Sequence, residues 1–445
     1  MAERWSPRPG RLADVLVCLG LLFASLTFTV EQVLEHEKLS PIDEYQYIDN
    51  YAKVLDQGIV RQGEETGLTA RRMIVCNGLR LDDAPLNAEA CRADDAGGIF
   101  ALGGGTTGDL YTPIYFFTTR VVAQPFEWAG ADLVQGGRLA GGIWLAAGAI
   151  VLYLALRRAG TPPALAGAAG LLTIGSLPAY WANTYISTDA PAILAGSLAL
   201  LLAVEGRSGR LRPLLLLAPV ASVMTLVKVQ NLVGFVAAGL YLVALAAYDA
   251  RRSDPGGGRV RRWLLDRRSL AAVTAVVTAV GAQGAWLWVR SRLAVGPSPD
   301  DGVGGPFAWT ALLAESSSFL QRTAMGALPP PVTGVYSEPL FVIGLAVTLG
   351  GVVGLALAQG VPVRDRLLAL SAGAVAIVAA PALALSVVVS EGEHFTLPWR
   401  YGMSLLPWMI GCCALLADGS SRTVRRSAVV LGLVAFGLSL LLGEG

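Results

Sequence analysis

The chain is poor in the residues on which most soluble enzymes build their chemistry. It has two histidines, His36 and His394, in 445 residues, too few for a histidine-rich metal centre. Lysine is scarcer still beside arginine, three against thirty-one. In a chain with that bias, arginine abundance alone says nothing about function. No Walker A lysine motif, no HExxH and no GxSxG occurs, which excludes P-loop nucleotide chemistry, zincin-type hydrolysis and the nucleophile elbow. The stretch GGGTTG at 103–108 fits GxGxxG, but it follows no strand pattern and reads as a hinge. No internal repeat is visible. Charge is also scarce, at 15% of residues with a net +1, so no nucleic-acid partner is expected.

What the chain has in quantity is apolar sequence. Hydrophobic residues make up 54% and mean hydropathy is +0.55. Apolar stretches of about the length needed to cross a bilayer recur along the chain. Eleven are read, at 12–31, 133–156, 163–181, 189–204, 212–228, 231–248, 270–289, 339–358, 367–389, 401–416 and 427–442. Lys228, Gln230 and Asn231 break what would otherwise be one long helix over 212–248. The first segment lacks a clean small-residue cleavage site and reads as a retained anchor rather than a signal peptide. Placing the N-terminus inside puts 20 of the 34 lysines and arginines into short inner loops, the bias that sets topology. The expectation is an all-α, multi-pass cell-membrane protein with about eleven spans in a single domain over 1–445. Its N-terminus is cytoplasmic, and two loops, 32–132 and 290–338, lie on the outer face. The inner loops are short and basic, and the longest, around 249–268, reads as facing lipid headgroups.

Five cysteines divide by location. Cys18, Cys412 and Cys413 fall in apolar segments as small fillers. Cys76 and Cys91 both lie in the first outer loop, on the oxidising side, where a disulfide would staple a loop with little core. The alternative is a pair of free, buried thiols.

The first outer loop opens with LSPIDEYQYIDNYAKVL, Leu39 to Leu55. Ser40 as N-cap, Pro41 at the first helical position and two acids in the first turn predict a helix start. Ile42, Tyr45, Ile48, Ala52 and Leu55 then recur at helical spacing. Read plainly, this is a surface helix on the outer leaflet with Asp43 and Glu44 favouring its N-terminus. Other polar residues stand out against the apolar background. Lys228 is the sole lysine within the apolar segments, and an ionisable group there is expensive and tends to be functional unless it snorkels. Arg400 sits between Trp399 and Tyr401, Asp189 follows Ser187 and Thr188, and Arg138 lies near the outer start of the second span. Each has an anchoring or capping alternative. Glu391, Glu393 and His394 form a small polar cluster on the outer side.

Four stretches together resemble the GT-C glycosyltransferases, polytopic enzymes that use polyprenyl-phosphate sugars. SPIDEYQYID looks like their first-loop acidic motif, and LYTPIYFF (110–117) like the aromatic–proline segment before their second span. YISTDAPAIL (185–194) is similar to their short aspartate turn, and PWRYGMSLLPW (398–408) to the Arg-Tyr and proline pattern opening a late span. The soluble outer domain that many members carry at the C-terminus has no counterpart before LLLGEG. The resemblance implies a GT-C-like fold and transfer of a hexose or pentose from a polyprenyl-phosphate donor to a glycan or glycolipid acceptor at the outer face, with inversion. Asp43 would be general base with Glu44 second. Lys228, Arg400 and Arg138 would meet the donor phosphate, and Asp189, Tyr111, Tyr401 and His394 the substrates. No cofactor is required, though a carboxylate-bound divalent cation is compatible, and membrane lipids are partners. The rival class is a transporter or lipid flippase using the same charges to bind substrate, but the inverted repeats and paired broken helices of many transporters are not found. A non-catalytic envelope scaffold is the third.

Overall fold

The structure is a computed structural model. It describes residues 11–35, 38–42, 44–78, 104–253, 259–298 and 304–443. Among these no strand forms, and two isolated bridges, Glu65 with Gly105 and Gly305 with His394, are the β-type pairings. The helices are α1 (Arg11–Glu35), α2 (Glu44–Lys53), α3 (Leu68–Asn77), α4 (Pro113–Trp128), α5 (Leu133–Ala159), α6 (Pro163–Ile174), α7 (Leu177–Asn183), α8 (Ala192–Gly206) and α9 (Leu211–Val227). Then come α10 (Leu232–Ser253), α11 (Arg259–Leu264), α12 (Arg267–Leu293), α13 (Trp309–Glu315), α14 (Ser318–Gln321), α15 (Ser337–Leu357), α16 (Val363–Glu391), α17 (Leu406–Asp418) and α18 (Arg422–Ser439).

All eleven apolar stretches of the sequence fall on helices. Among the described residues seven helical stretches are long and apolar enough to cross a membrane, and α6 with α7, bent by 58°, makes an eighth if counted as one span. α8 and α9 are apolar but shorter, and α18 begins with Arg422, Arg425 and Arg426. The molecule is a multi-pass membrane protein, and eleven is the number of its apolar segments rather than of its long spans.

α5 is the central element. Asp132 and Gln135 close a capping box at its start, and Gly160, at φ +112°, ends it in the left-handed region. It packs against α1, α4, α6 and α8. Its glycines allow this: a Cβ at Gly141 would collide with the carbonyl of Asn183, at the end of α7. α12 lies against α9 and α10, α10 also touches α16, and α15 packs on α17. Between α10, α12 and α16 runs an apolar groove of about 1440 Å³, lined from Val229 and Ser386 at one end to Val243 and Ala272 at the other. Along α10 that is roughly 20 Å at 1.5 Å per residue.

The two long loops touch: the Val295 N–H donates to the Gln62 carbonyl at 2.9 Å. The GxGxxG stretch, read as a hinge, is described from Gly104 onward. The Thr66 N–H donates to Gly104 and the Thr106 N–H to Glu64, so Gly104, at φ +87°, enters a short paired segment. α2 differs from the expected surface helix, because Glu44, Tyr47, Ile48, Asp49, Asn50 and Tyr51 are all buried. α3 buries Ala70 alone. Its Cys76 is disulfide-bonded, while Cys91 lies outside the described residues; Cys18, Cys412 and Cys413 are free.

Candidate active site

The helix predicted to start at Pro41 with Ser40 as its cap starts at Glu44. Ser40 does not cap it. Its hydroxyl accepts the Ile42 N–H at 3.2 Å, and its own N–H donates to Glu44 Oε2 at 2.8 Å. The carboxylate therefore folds back over the turn before the helix. Asp43, the residue between, lies outside the described residues.

Glu44 is 1% exposed and meets Arg138 of α5 in a two-pronged pair, Nε to Oε1 at 2.9 Å and Nη2 to Oε2 at 2.8 Å. The Ile186 N–H donates to Oε1 at 2.9 Å. With the Ser40 N–H, four donors occupy the carboxylate. Arg138, as deeply buried, also donates to the Lys38 carbonyl at 2.9 Å and lies over the Tyr185 ring. Sequence reasoning placed Glu44 beside the base and Arg138 on phosphate; the fold commits each to the other. A buried charge needs a partner, and this pair ties α2, α5 and the turn after α7 together.

Lys228, Asp189 and Arg400 form a second charged cluster, brought together from three distant parts of the chain. Lys228 Nζ is 2.7 Å from Asp189 Oδ1, and Arg400 Nε is 3.2 Å from Oδ2. Lys228 and Asp189 are each about 2% exposed. Both cations meet the same carboxylate. Tyr111 and Tyr401 flank Lys228, their ring centres 5.8 and 5.3 Å from Nζ, and Arg400 lies over Tyr401 as well.

Local backbone explains the convergence. α9 ends at Val227, and Lys228 takes an extended conformation, φ −159° and ψ 127°, which turns its side chain off the helix axis. The Asn231 amide covers the Met224 carbonyl at the helix end. Ser404 donates to the Gln230 carbonyl and accepts the Gly234 N–H, which ties this break to the 3₁₀ segment Trp399–Leu405 that carries Arg400. Asp189 sits in a turn where its N–H donates to Ser187 Oγ.

A small pocket joins the two clusters, lined by Ile42, Glu44, Tyr47, Trp181, Tyr185, Asp189 and Arg400 among others. Trp181 and Tyr185 stack at 5.9 Å with planes 14° apart, giving it an aromatic wall that sequence reasoning missed. Their membership of a long aromatic, apolar stretch hid them. Also missed were Asp109, buried and held by Arg290 at 2.6 Å, and Glu315, which accepts the Leu397 N–H at 3.0 Å just before the Arg400 segment. Burial is the largest influence on Asp109 and pushes its carboxyl up, against the pull of Arg290. Tyr47 donates to the Tyr111 hydroxyl at 3.2 Å, so Tyr111 and Tyr401 are both near the cations. His394 is not among the residues lining the cavity; its backbone pairs with Gly305 and its ring lies beside Phe307. Among the described residues no three His, Cys, Asp or Glu side chains converge as a metal site.

No family model and no curated protein matches the sequence. Two crystal structures of ArnT from Cupriavidus metallidurans do match the fold over 94% of this chain, at 16% identity. The apo form has a TM-score of 0.51 and the form bound to undecaprenyl phosphate 0.47. The chain shares the fold of the apo ArnT structure. It spans about three fifths of the ArnT chains it matches, 61% and 62%.

Proposed function

We propose that this protein is a membrane glycosyltransferase that moves a sugar from a polyprenyl-phosphate donor to a glycan or lipid acceptor at the outer face. The observation that carries this reading is the buried cluster of Lys228, Asp189 and Arg400, two cations close together at the mouth of an apolar groove that begins at Val229. A phosphate joined to a long hydrocarbon chain has that combination of demands. The cations would take the charge that develops as the phosphate leaves, in a site with little water, while the hydrocarbon lies along α10. The aromatic wall of Trp181 and Tyr185 offers ring faces to a sugar.

The proposed reaction is a single displacement with inversion. A base removes the proton of the acceptor hydroxyl, and the oxygen attacks the anomeric carbon. The carbon–oxygen bond to phosphate breaks, and polyprenyl phosphate departs with the electron pair. We assign the base to Asp43, with Glu44 excluded by its four donors. Ile42 and Glu44, its neighbours in sequence, both line the cavity, which supports the assignment. The reading requires no cofactor, and transfer measured with and without EDTA shows whether a divalent cation takes part.

The test is Asp43→Asn, assayed by sugar transfer from a synthetic polyprenyl-phosphate donor in detergent, with donor binding measured separately. Turnover is expected to fall by roughly 10²–10⁴-fold with binding retained, the usual worth of a general base. Unimpaired transfer would remove the base from Asp43. A flippase or transporter, by contrast, would bind and move the lipid with no transfer to protect.

A further inference from the structure

The opposite end of the helical bundle carries a second built feature. α5, α8 and α10 start at the candidate active site and end at Ala159, Gly206 and Ser253; α16 starts at Val363 and runs back toward it. Their far ends enclose a pocket of about 1170 Å³ with Val204 and Leu245 in its lining and Arg158, Arg207, Arg210 and Arg364 around it. Two acids share the lining, Glu205 and Asp249, and both are engaged. Glu205 is 3.4 Å from Arg158, and Asp249 is 2.7 Å from Arg268 outside this pocket. Arg364 has its neighbour Asp365 at 3.7 Å. No ion pair within 4 Å satisfies Arg207 or Arg210 among the described residues.

Arg207 is half-buried, and its guanidinium is pushed down from its ordinary value first by burial, then by Arg364 and less by Arg210, against the upward pull of Tyr241 and Asp365. Crowding like charges at a partly dry site costs free energy that an anion would return. Geometry adds to this. Arg210 precedes the first turn of α9 and Arg364 lies in the first turn of α16, so two helix N-termini bring their positive ends toward the same space. An apolar lining beneath a cationic rim at the ends of apolar helices suits a phosphate whose carrier is itself partly apolar.

We infer that this pocket binds a phosphate anion, supplied by the headgroup of an anionic membrane lipid or by a free phosphate compound. It is independent of the transfer reaction proposed above, because none of its residues reaches that site. Two phosphates on one molecule would engage Arg207 and Arg210 on one side and Arg364 on the other.

The experiment is native mass spectrometry of the delipidated full chain with cardiolipin, with phosphatidylethanolamine, and with inorganic pyrophosphate as competitor. Cardiolipin is expected to bind roughly tenfold or more tightly than phosphatidylethanolamine. The double variant Arg207→Gln with Arg364→Gln should lose that preference, and Arg422→Gln with Arg425→Gln, at the same end of the bundle, should keep it. Displacement of cardiolipin by pyrophosphate would identify free phosphate as a ligand, and persistence of the lipid would identify the headgroup. Equal retention of both lipids by the wild type with no pyrophosphate bound would overturn the inference, as would equal loss in both double variants. Should the first variant not fold, Arg207→Lys with Arg364→Lys keeps the charge; it should retain the preference in weakened form, and unweakened binding would also count against an arginine-built site.

Discussion

At the scale of single residues, the proposed reaction gives two adjacent acids opposite duties. Glu44 is consumed by structure. Removing one partner of its buried pair leaves the other uncompensated, which costs about 3–5 kcal/mol. Glu44→Gln should therefore lower thermal stability in detergent by that order, whatever it does to turnover. Replacing both partners, as Glu44→Gln with Arg138→Met, should recover much of the loss, because the stranded charge is gone. A double variant as unstable as the sum of its single variants would show that the pair is not what holds these residues. The cations of the second cluster make a different case. Lys228→Ala and Arg400→Ala each remove one charged partner of an anion, worth about 1.5–3 kcal/mol, so polyprenyl-phosphate affinity should fall by roughly 10- to 100-fold with the fold intact. Affinity unchanged in both would make them simply the holders of Asp189.

At the scale of elements, the site is assembled by interruptions. α9 stops at Val227, α7 stops at Asn183, and α17 is preceded by the 3₁₀ turn Trp399–Leu405. Each break turns a polar side chain into a space that a continuous helix would close. Small residues set the distances between these pieces. A Cβ at Gly196 of α8 would collide with the Ser404 carbonyl, and Ser404 is the residue that fastens the Arg400 turn to the Lys228 break. Gly196→Ala should then cost roughly 1–3 kcal/mol through overpacking. It should also weaken donor binding, although Gly196 is not among the cavity-lining residues. A variant of lowered stability with native donor affinity would show that α8 and the turn move as one body. The presence of these breaks was legible: Lys228, Gln230 and Asn231 interrupt an apolar run, and prolines punctuate 398–408. Their convergence was not, since nothing local says that Asp189 stands 2.7 Å from Lys228.

At the scale of the whole molecule, charge asymmetry and fold make a joint statement. The candidate active site and the arginine-lined pocket occupy opposite ends of the bundle, and the loop bias assigns the first to the outer face. A cysteine placed at Asp56 should react with an impermeant maleimide from outside intact cells, and one placed at Ser208 only after lysis. The reverse pattern would invert the molecule and with it the acceptor's compartment. In the same preparation, non-reducing mass spectrometry should find Cys76 joined to Cys91.

The sequence by itself determined that this chain lives in a membrane, because hydropathy and length are additive along a segment and need no knowledge of neighbours. It also marked most of the polar residues later found around the cavity, since an ionisable group in an apolar stretch is costly wherever it lies. Tertiary structure alone decided how they are used. Arg138 and Glu44 are 94 positions apart, and each is expensive to bury until the other arrives. Their pairing takes both out of the chemistry that their residue types suggested. The same packing brings Lys228 and Arg400 together on the Asp189 carboxylate. Pairing energy depends on the distance between groups in space, and spacing along the chain does not report it.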